Sequence, residues 1–189
     1  KRKLTLLTGI LLCISMLSFS KTTVEKENNG WKLYVDGKPF VIRGVTWGRP
    51  VNQKTIGSEM KQLKFMGVNT IRTWGYGAET KILLDSANAY GIKVLLGIWM
   101  RHGRPGMEGD DRFDYLSDKK GMEDMYNGAI DGVTKYKDHP ALLFFGVGNE
   151  VYLNIATDKE KKAYSIFLEK VCSKIKEIDK DHPVTAVDA

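Results

Sequence analysis

From residue 58 to the end of the chain, two kinds of apolar run alternate. One repeats every three or four residues, like the buried stripe of a helix; the other is short and continuous, like a strand covered on both faces. Residues 58–66 carry Met60, Leu63 and Met66 at helical spacing and close on Gly67, before the strand-like stretch 68–73. Residues 78–90 repeat the helical stripe through Ile82, Leu83, Ala87 and Tyr90, close on Gly91 and lead into a strand over 92–98. A third helix, over 122–137, turns Met125, Ile130 and Val133 inward and stops at Asp138-His139-Pro140, ahead of a strand over 141–147. Thr157-Asp158-Lys159-Glu160 is the start signal of a fourth helix. Tyr164, Phe167, Leu168, Val171, Ile175 and Ile178 share one face of it, and the last strand is 184–187.

The units also repeat in sequence. Gly67-Val68-Asn69-Thr70-Ile71 is echoed by Gly91-Ile92-Lys93-Val94-Leu95, and Asp138-His139-Pro140 by Asp181-His182-Pro183. Repeated βα units of this length imply an α/β fold with parallel strands buried on both faces. Ahead of them, 31–35 and 38–41 flank Asp36-Gly37, the residues that supply positive φ angles in a tight hairpin turn. Residues 40–45 continue as the first buried strand, and the polar stretch 21–30 reads as a linker.

The amino terminus changes the meaning of the charge. Lys1-Arg2-Lys3 is basic, residues 4–17 are apolar and Ser18-Phe19-Ser20 offers small residues at a cleavage position, the pattern of a secretory signal over 1–20. The apolar run is shorter than the roughly 20 residues of a spanning helix. Leu12 stands where a lipoprotein signal centred on Cys13 would need a small residue. The expectation is a secreted or periplasmic protein with no stable membrane insertion. Without the three leading basic residues the formal charge of +6 falls to +3. No Lys/Arg cluster alternates with aromatics, so a nucleic-acid partner is not expected. Past the leader only Cys172 remains, on the fourth helix, which excludes an intrachain disulfide and reads as a core residue rather than a nucleophile. A chain 42% hydrophobic can build its core without one.

The chemistry gathers where strand 141–147 ends. Leu142-Leu143-Phe144-Phe145-Gly146-Val147-Gly148 is apolar or glycine throughout and then delivers Asn149-Glu150. In a parallel α/β barrel the carboxyl ends of the strands form the reactive face. A carboxyl at the rim of an apolar strand is partly desolvated, which favours the protonated form that a general acid needs. Trp47, Trp74 and Trp99 fall at or just beyond the ends of three predicted strands, and their faces suit the apolar C–H faces of sugars. The long loop 100–118 adds Arg101, His102, Arg104, Asp110, Asp111 and Asp114 as candidate hydroxyl contacts. No ligand spacing supports a metal there, and no cofactor is expected. His139 and His182 precede prolines at the opposite ends of strands and read as structural.

These stretches together resemble the TIM-barrel domain of glycoside hydrolase family 2, among the clan A retaining glycosidases. The resemblance rests on Gly37-Lys38-Pro39-Phe40-Val41-Ile42-Arg43-Gly44-Val45, on Gly67 to Gly75, on Gly91 to Trp99 with Arg112-Phe113-Asp114-Tyr115, and on Asp138 to Glu150, in order over 31–189. It implies a (β/α)₈ TIM barrel, here about its first five strands, preceded by a short β-hairpin. It implies an oligo- or polysaccharide substrate, with Glu150 as acid/base, Asn149 bonding the sugar 2-hydroxyl and Arg72 steadying the nucleophile. Arg43 is left structural. A complete barrel takes about 250 residues, and the family carries its nucleophilic glutamate at the end of strand seven. The expectation is therefore an amino-terminal fragment whose second carboxylate lies beyond Ala189 and which is inactive alone. The β-sandwich domain that precedes the barrel in many members is not expected here, since the signal leads almost directly into the barrel entry. A transglycosidase on the same barrel, or a non-catalytic carbohydrate-binding protein on a degenerate one, are the alternatives.

Overall fold

In the computed structural model, which describes residues 20–103 and 112–188, the chain forms two sheets. The leader reading over 1–20 falls almost wholly outside the described residues, as do Arg104, Asp110 and Asp111.

The first sheet is antiparallel: β1 (Thr22–Glu27), β2 (Gly30–Val35) and β3 (Lys38–Pro39), in that order. Asp36 and Gly37 join β2 to β3 with φ of 50° and 72°, the double left-handed turn that matches the strand twist. Val35 pairs with Lys38, as the hairpin pattern requires. The linker expected over 21–30 is instead β1, paired in full register from Thr22↔Val35 to Glu27↔Gly30. Backbone pairing needs no apolar side chains, so a strand lying mostly in water leaves no hydrophobic alternation to read.

The second sheet is parallel and holds β4 (Gly44–Thr46), β5 (Thr70–Arg72), β6 (Lys93–Ile98), β7 (Leu142–Val147) and β8 (Val184–Ala186) in chain order. Helices α1 (Ile56–Phe65), α2 (Thr80–Ala89), α3 (Lys119–Tyr136) and α4 (Asp158–Ile178) fill the four crossovers. A strand order identical to the chain order is the wall of a barrel; a doubly wound sheet would reverse at a switch point. At the start of α4 the Thr157 hydroxyl accepts from Glu160 N at 3.2 Å, the cap its sequence announces.

The core lies between this wall and the helices. Val94, Leu96 and Ile98 of β6 and Phe145 and Val147 of β7 are fully buried against Leu84, Ala87, Val133, Tyr164, Val171 and Ile175. Cys172 packs against the same cluster, and burial pushes its thiol up to about 11, so it stays protonated at neutral pH. Two expectations fail at the margins. Met66 is 67% exposed, because α1 ends one residue before it. The stretch 40–45 is not a buried strand: Val41 is 72% exposed, and β4 has β5 as its single neighbour among the described residues.

The hairpin sheet lies under the amino-terminal ends of the parallel strands. Thr22 N donates to Asp181 O at 2.8 Å, and Lys93 Nζ reaches both Ser20 Oγ and Pro140 O at 2.8 Å. The opposite rim, where the strands end, is left to the loops.

Candidate active site

The carboxyl ends of β5, β6 and β7 bring one polar cluster together. Arg72, the last residue of β5, extends Nη2 to Asn149 Oδ1 at 2.6 Å. Asn149 is buried, and its amide oxygen accepts from that guanidinium. Arg72 Nε is buried and has no hydrogen-bond partner among the described residues. His102, fully buried in the loop after β6, holds Asn149 O through Nε2 at 2.8 Å, and Trp99 stacks on its ring with centroids 4.9 Å apart.

Glu150 follows directly and is half-buried. Its backbone is left-handed, at φ 54° and ψ 32°, a conformation that costs a residue bearing a β-carbon about 1–2 kcal/mol. Three contacts hold it there. Glu150 N donates to Val187 O at 2.8 Å, and Glu150 O accepts from Leu153 N and from Asn154 Nδ2, each at 3.2 Å. Asn154, the end of a short 3₁₀ turn (Val151–Asn154), is 5% exposed and also lies 3.4 Å from His102 Nδ1. Sequence reading missed Asn154. The available signal is weak: an asparagine four residues after Glu150, followed by Ile155 and flanked by apolar positions.

The cluster has a second margin at β8. Asp188, just past that strand, accepts from Tyr152 N at 3.2 Å and from the Tyr164 hydroxyl at 3.5 Å. Burial, with the Asp188 carboxylate second, holds the Tyr164 phenol protonated far above the usual tyrosine range. Tyr164 is therefore a fixed donor under the rim.

Other predicted residues sit beside the cluster. Trp47 and Trp74 line a cleft of about 520 Å³ between the loops that follow β4 and β5, together with Arg49, Val51 and Glu79. Trp47 is tied to the site through its backbone, Trp47 N donating to Arg72 O at 2.7 Å. Trp47 as a whole is only 9% exposed, and the Arg49 guanidinium lies 4.8 Å from the centre of its ring. Trp74, 37% exposed, offers the more open face. Arg101 covers the Phe113 ring at 4.9 Å. Asp114 is occupied locally: its carboxylate accepts from Leu116 N at 2.8 Å and Ser117 Oγ at 2.5 Å, and the serine bond first, then the backbone, hold it below its ordinary range. His139 bonds Asp85 at 3.1 Å and His182 bonds Asp179 at 2.8 Å, both at the far ends of strands. Among the described residues no group of three or more His, Cys, Asp or Glu could hold a metal ion.

Four consecutive β/α units and a fifth parallel strand, with arginine, asparagine and glutamate gathered at the carboxyl ends of the strands, define a (β/α) barrel domain with its polar site on the rim. The chain belongs to glycosyl hydrolases family 2: the model of that family's TIM barrel domain matches residues 26–189. No curated protein matches the sequence. Among solved structures, a β-glucuronidase of Parabacteroides merdae with glycerol in its active site superposes with a TM-score of 0.64 at 20% identity, over 87% of this chain and 20% of that one. An endo-1,4-β-mannanase of Rhizomucor miehei gives 0.66 at 17% identity, over 90% of this chain and 61% of that one. A family 2 β-galacturonidase of Eisenbergiella tayi bound to galacturonate gives 0.64 at 18%, over 90% and 28%. At these identities the likeness is one of fold. The chain spans about a fifth of the length of the glucuronidase it matches.

Proposed function

We propose that the full-length protein is a glycoside hydrolase that cleaves β-linked carbohydrates with retention, with Glu150 as general acid and then general base. The observation that carries this reading is the pairing of Arg72 with Asn149 at 2.6 Å across two strands, directly beside Glu150 at the rim. With its oxygen engaged, Asn149 can donate to the sugar 2-hydroxyl, a contact that strengthens as the ring flattens toward an oxocarbenium ion. Glu150 would protonate the leaving oxygen and then activate water. The buried Nε of Arg72, without a partner among the described residues, is a cationic donor suited to holding a neighbouring carboxylate ionised.

Retention needs a second carboxylate about 5–5.5 Å from the first. Family resemblance assigns it to the seventh barrel strand, and the described residues form five parallel strands. We therefore place the nucleophile outside these 189 residues. The basic and apolar pattern of residues 1–20 supports a secreted or periplasmic location.

The test is direct. The full-length protein should hydrolyse at least one member of a panel of aryl β-glycosides, and residues 1–189 expressed alone should turn over none. Turnover by the 189-residue chain alone would place both carboxylates within it. Sugar binding without turnover by the full-length protein would favour a carbohydrate-binding role on a degenerate barrel.

A further inference from the structure

His102 and Asn154 hold the backbone of the Asn149-Glu150 pair rather than its side chains. A carbonyl oxygen can only accept, so the 2.8 Å contact of His102 Nε2 with Asn149 O puts a proton on Nε2. The Asn154 amide nitrogen can only donate, so in its 3.4 Å contact His102 Nδ1 is the acceptor. The same nitrogen carries two hydrogens and gives the other to Glu150 O at 3.2 Å. One buried amide thus faces two acceptors, a histidine ring nitrogen and the carbonyl of the left-handed residue. That histidine in turn secures the preceding carbonyl.

We propose that Asn154 is a positioning residue for the acid/base carboxyl. It selects the His102 tautomer and, with that ring, locks the carbonyls of Asn149 and Glu150, keeping Glu150 in the turn that aims its side chain. The inference rests on the reading of Glu150 as the acid. A residue that only ended the 3₁₀ turn would influence folding, but it would neither set the protonation of His102 nor distinguish one leaving group from another.

Two measurements on the full-length protein decide it. Side-chain ¹⁵N NMR, with His102 assigned by substitution, should show a proton on Nε2 and none on Nδ1 at neutral pH. In Asn154→Asp the donor becomes a carboxylate, and Nδ1 should gain a proton. In kinetics, Asn154→Asp and Asn154→Leu should lower kcat by up to about 10²-fold on glycosides with poor leaving groups, the order of loss that misplacing a reacting group brings, with KM little changed. The loss should be clearly smaller on an activated aryl glycoside, which needs little protonation. A wild-type His102 protonated on Nδ1 alone overturns the proposal, and so do equal losses on the two substrates. Absence of turnover by the wild-type protein removes the glycosidase reading and Asn154's catalytic role together. The NMR result needs no turnover, and so tells that failure from failure of the clamp itself.

Discussion

Replacing Glu150 with Gln in the full-length protein should slow hydrolysis of glycosides with poor leaving groups by about 10²–10⁴, the usual worth of general acid catalysis. The substitution keeps the size of the side chain and, at the left-handed position, its backbone contacts to Val187, Leu153 and Asn154. What it removes is the acidic proton of the carboxyl group and the basic carboxylate it leaves behind. An aryl leaving group that departs without assistance should form the glycosyl-enzyme at close to the normal rate and then wait for water that no base activates. The expected signature is a burst followed by slow turnover on the activated substrate, with near-silence on the unactivated one. Stopped-flow release of the aryl group measures both phases. Small, equal losses on the two substrates would remove Glu150 from the acid/base role.

The second large effect concerns the frame that aligns the site. Gly97 on β6 lies opposite Gly146 on β7, and a β-carbon at position 97 would come within 2.3 Å of both Thr73 O and Trp74 C. Those are backbone atoms just past β5, so no side chain can swing aside to make room. Gly97→Ala should therefore separate β6 from the end of β5 and destabilise the domain by about 3 kcal/mol, the upper end of ordinary overpacking. It should also disturb Arg72, which precedes that backbone by one residue. Urea denaturation of the variant beside the wild type measures the first effect. A loss under about 1 kcal/mol would mean that the strands yield more readily than a packed interior should.

Much of this frame can be read from the chain because the barrel wall uses strong local signals. Helical stripes such as Tyr164, Phe167, Val171 and Ile175 are dictated by burial against the sheet, and all four are buried. Asp36-Gly37 sets its own turn through two positive φ angles. The readings that fail do so where burial and sequence part company. Polar β1 is held by backbone pairing, and Val41 is apolar yet exposed. At the site, Asn149-Glu150 is legible because an apolar strand ends in two polar residues. The support of that pair is not. His102 meets Asn149 across 47 positions and Arg72 meets it across 77, separations at which no local periodicity operates. Trp47 shows the converse, since a tryptophan at a strand end can be buried in the core rather than left open on the rim.

The most direct test of the account is the stereochemistry of the first product. Time-resolved proton NMR of the full-length protein acting on an aryl β-glycoside should show the β-anomer of the released sugar first, with the α-anomer appearing later by mutarotation. Two displacements through a covalent intermediate, with Glu150 serving first as acid and then as base, require that order. Initial release of the α-anomer would mean a single displacement by water and would contradict the account.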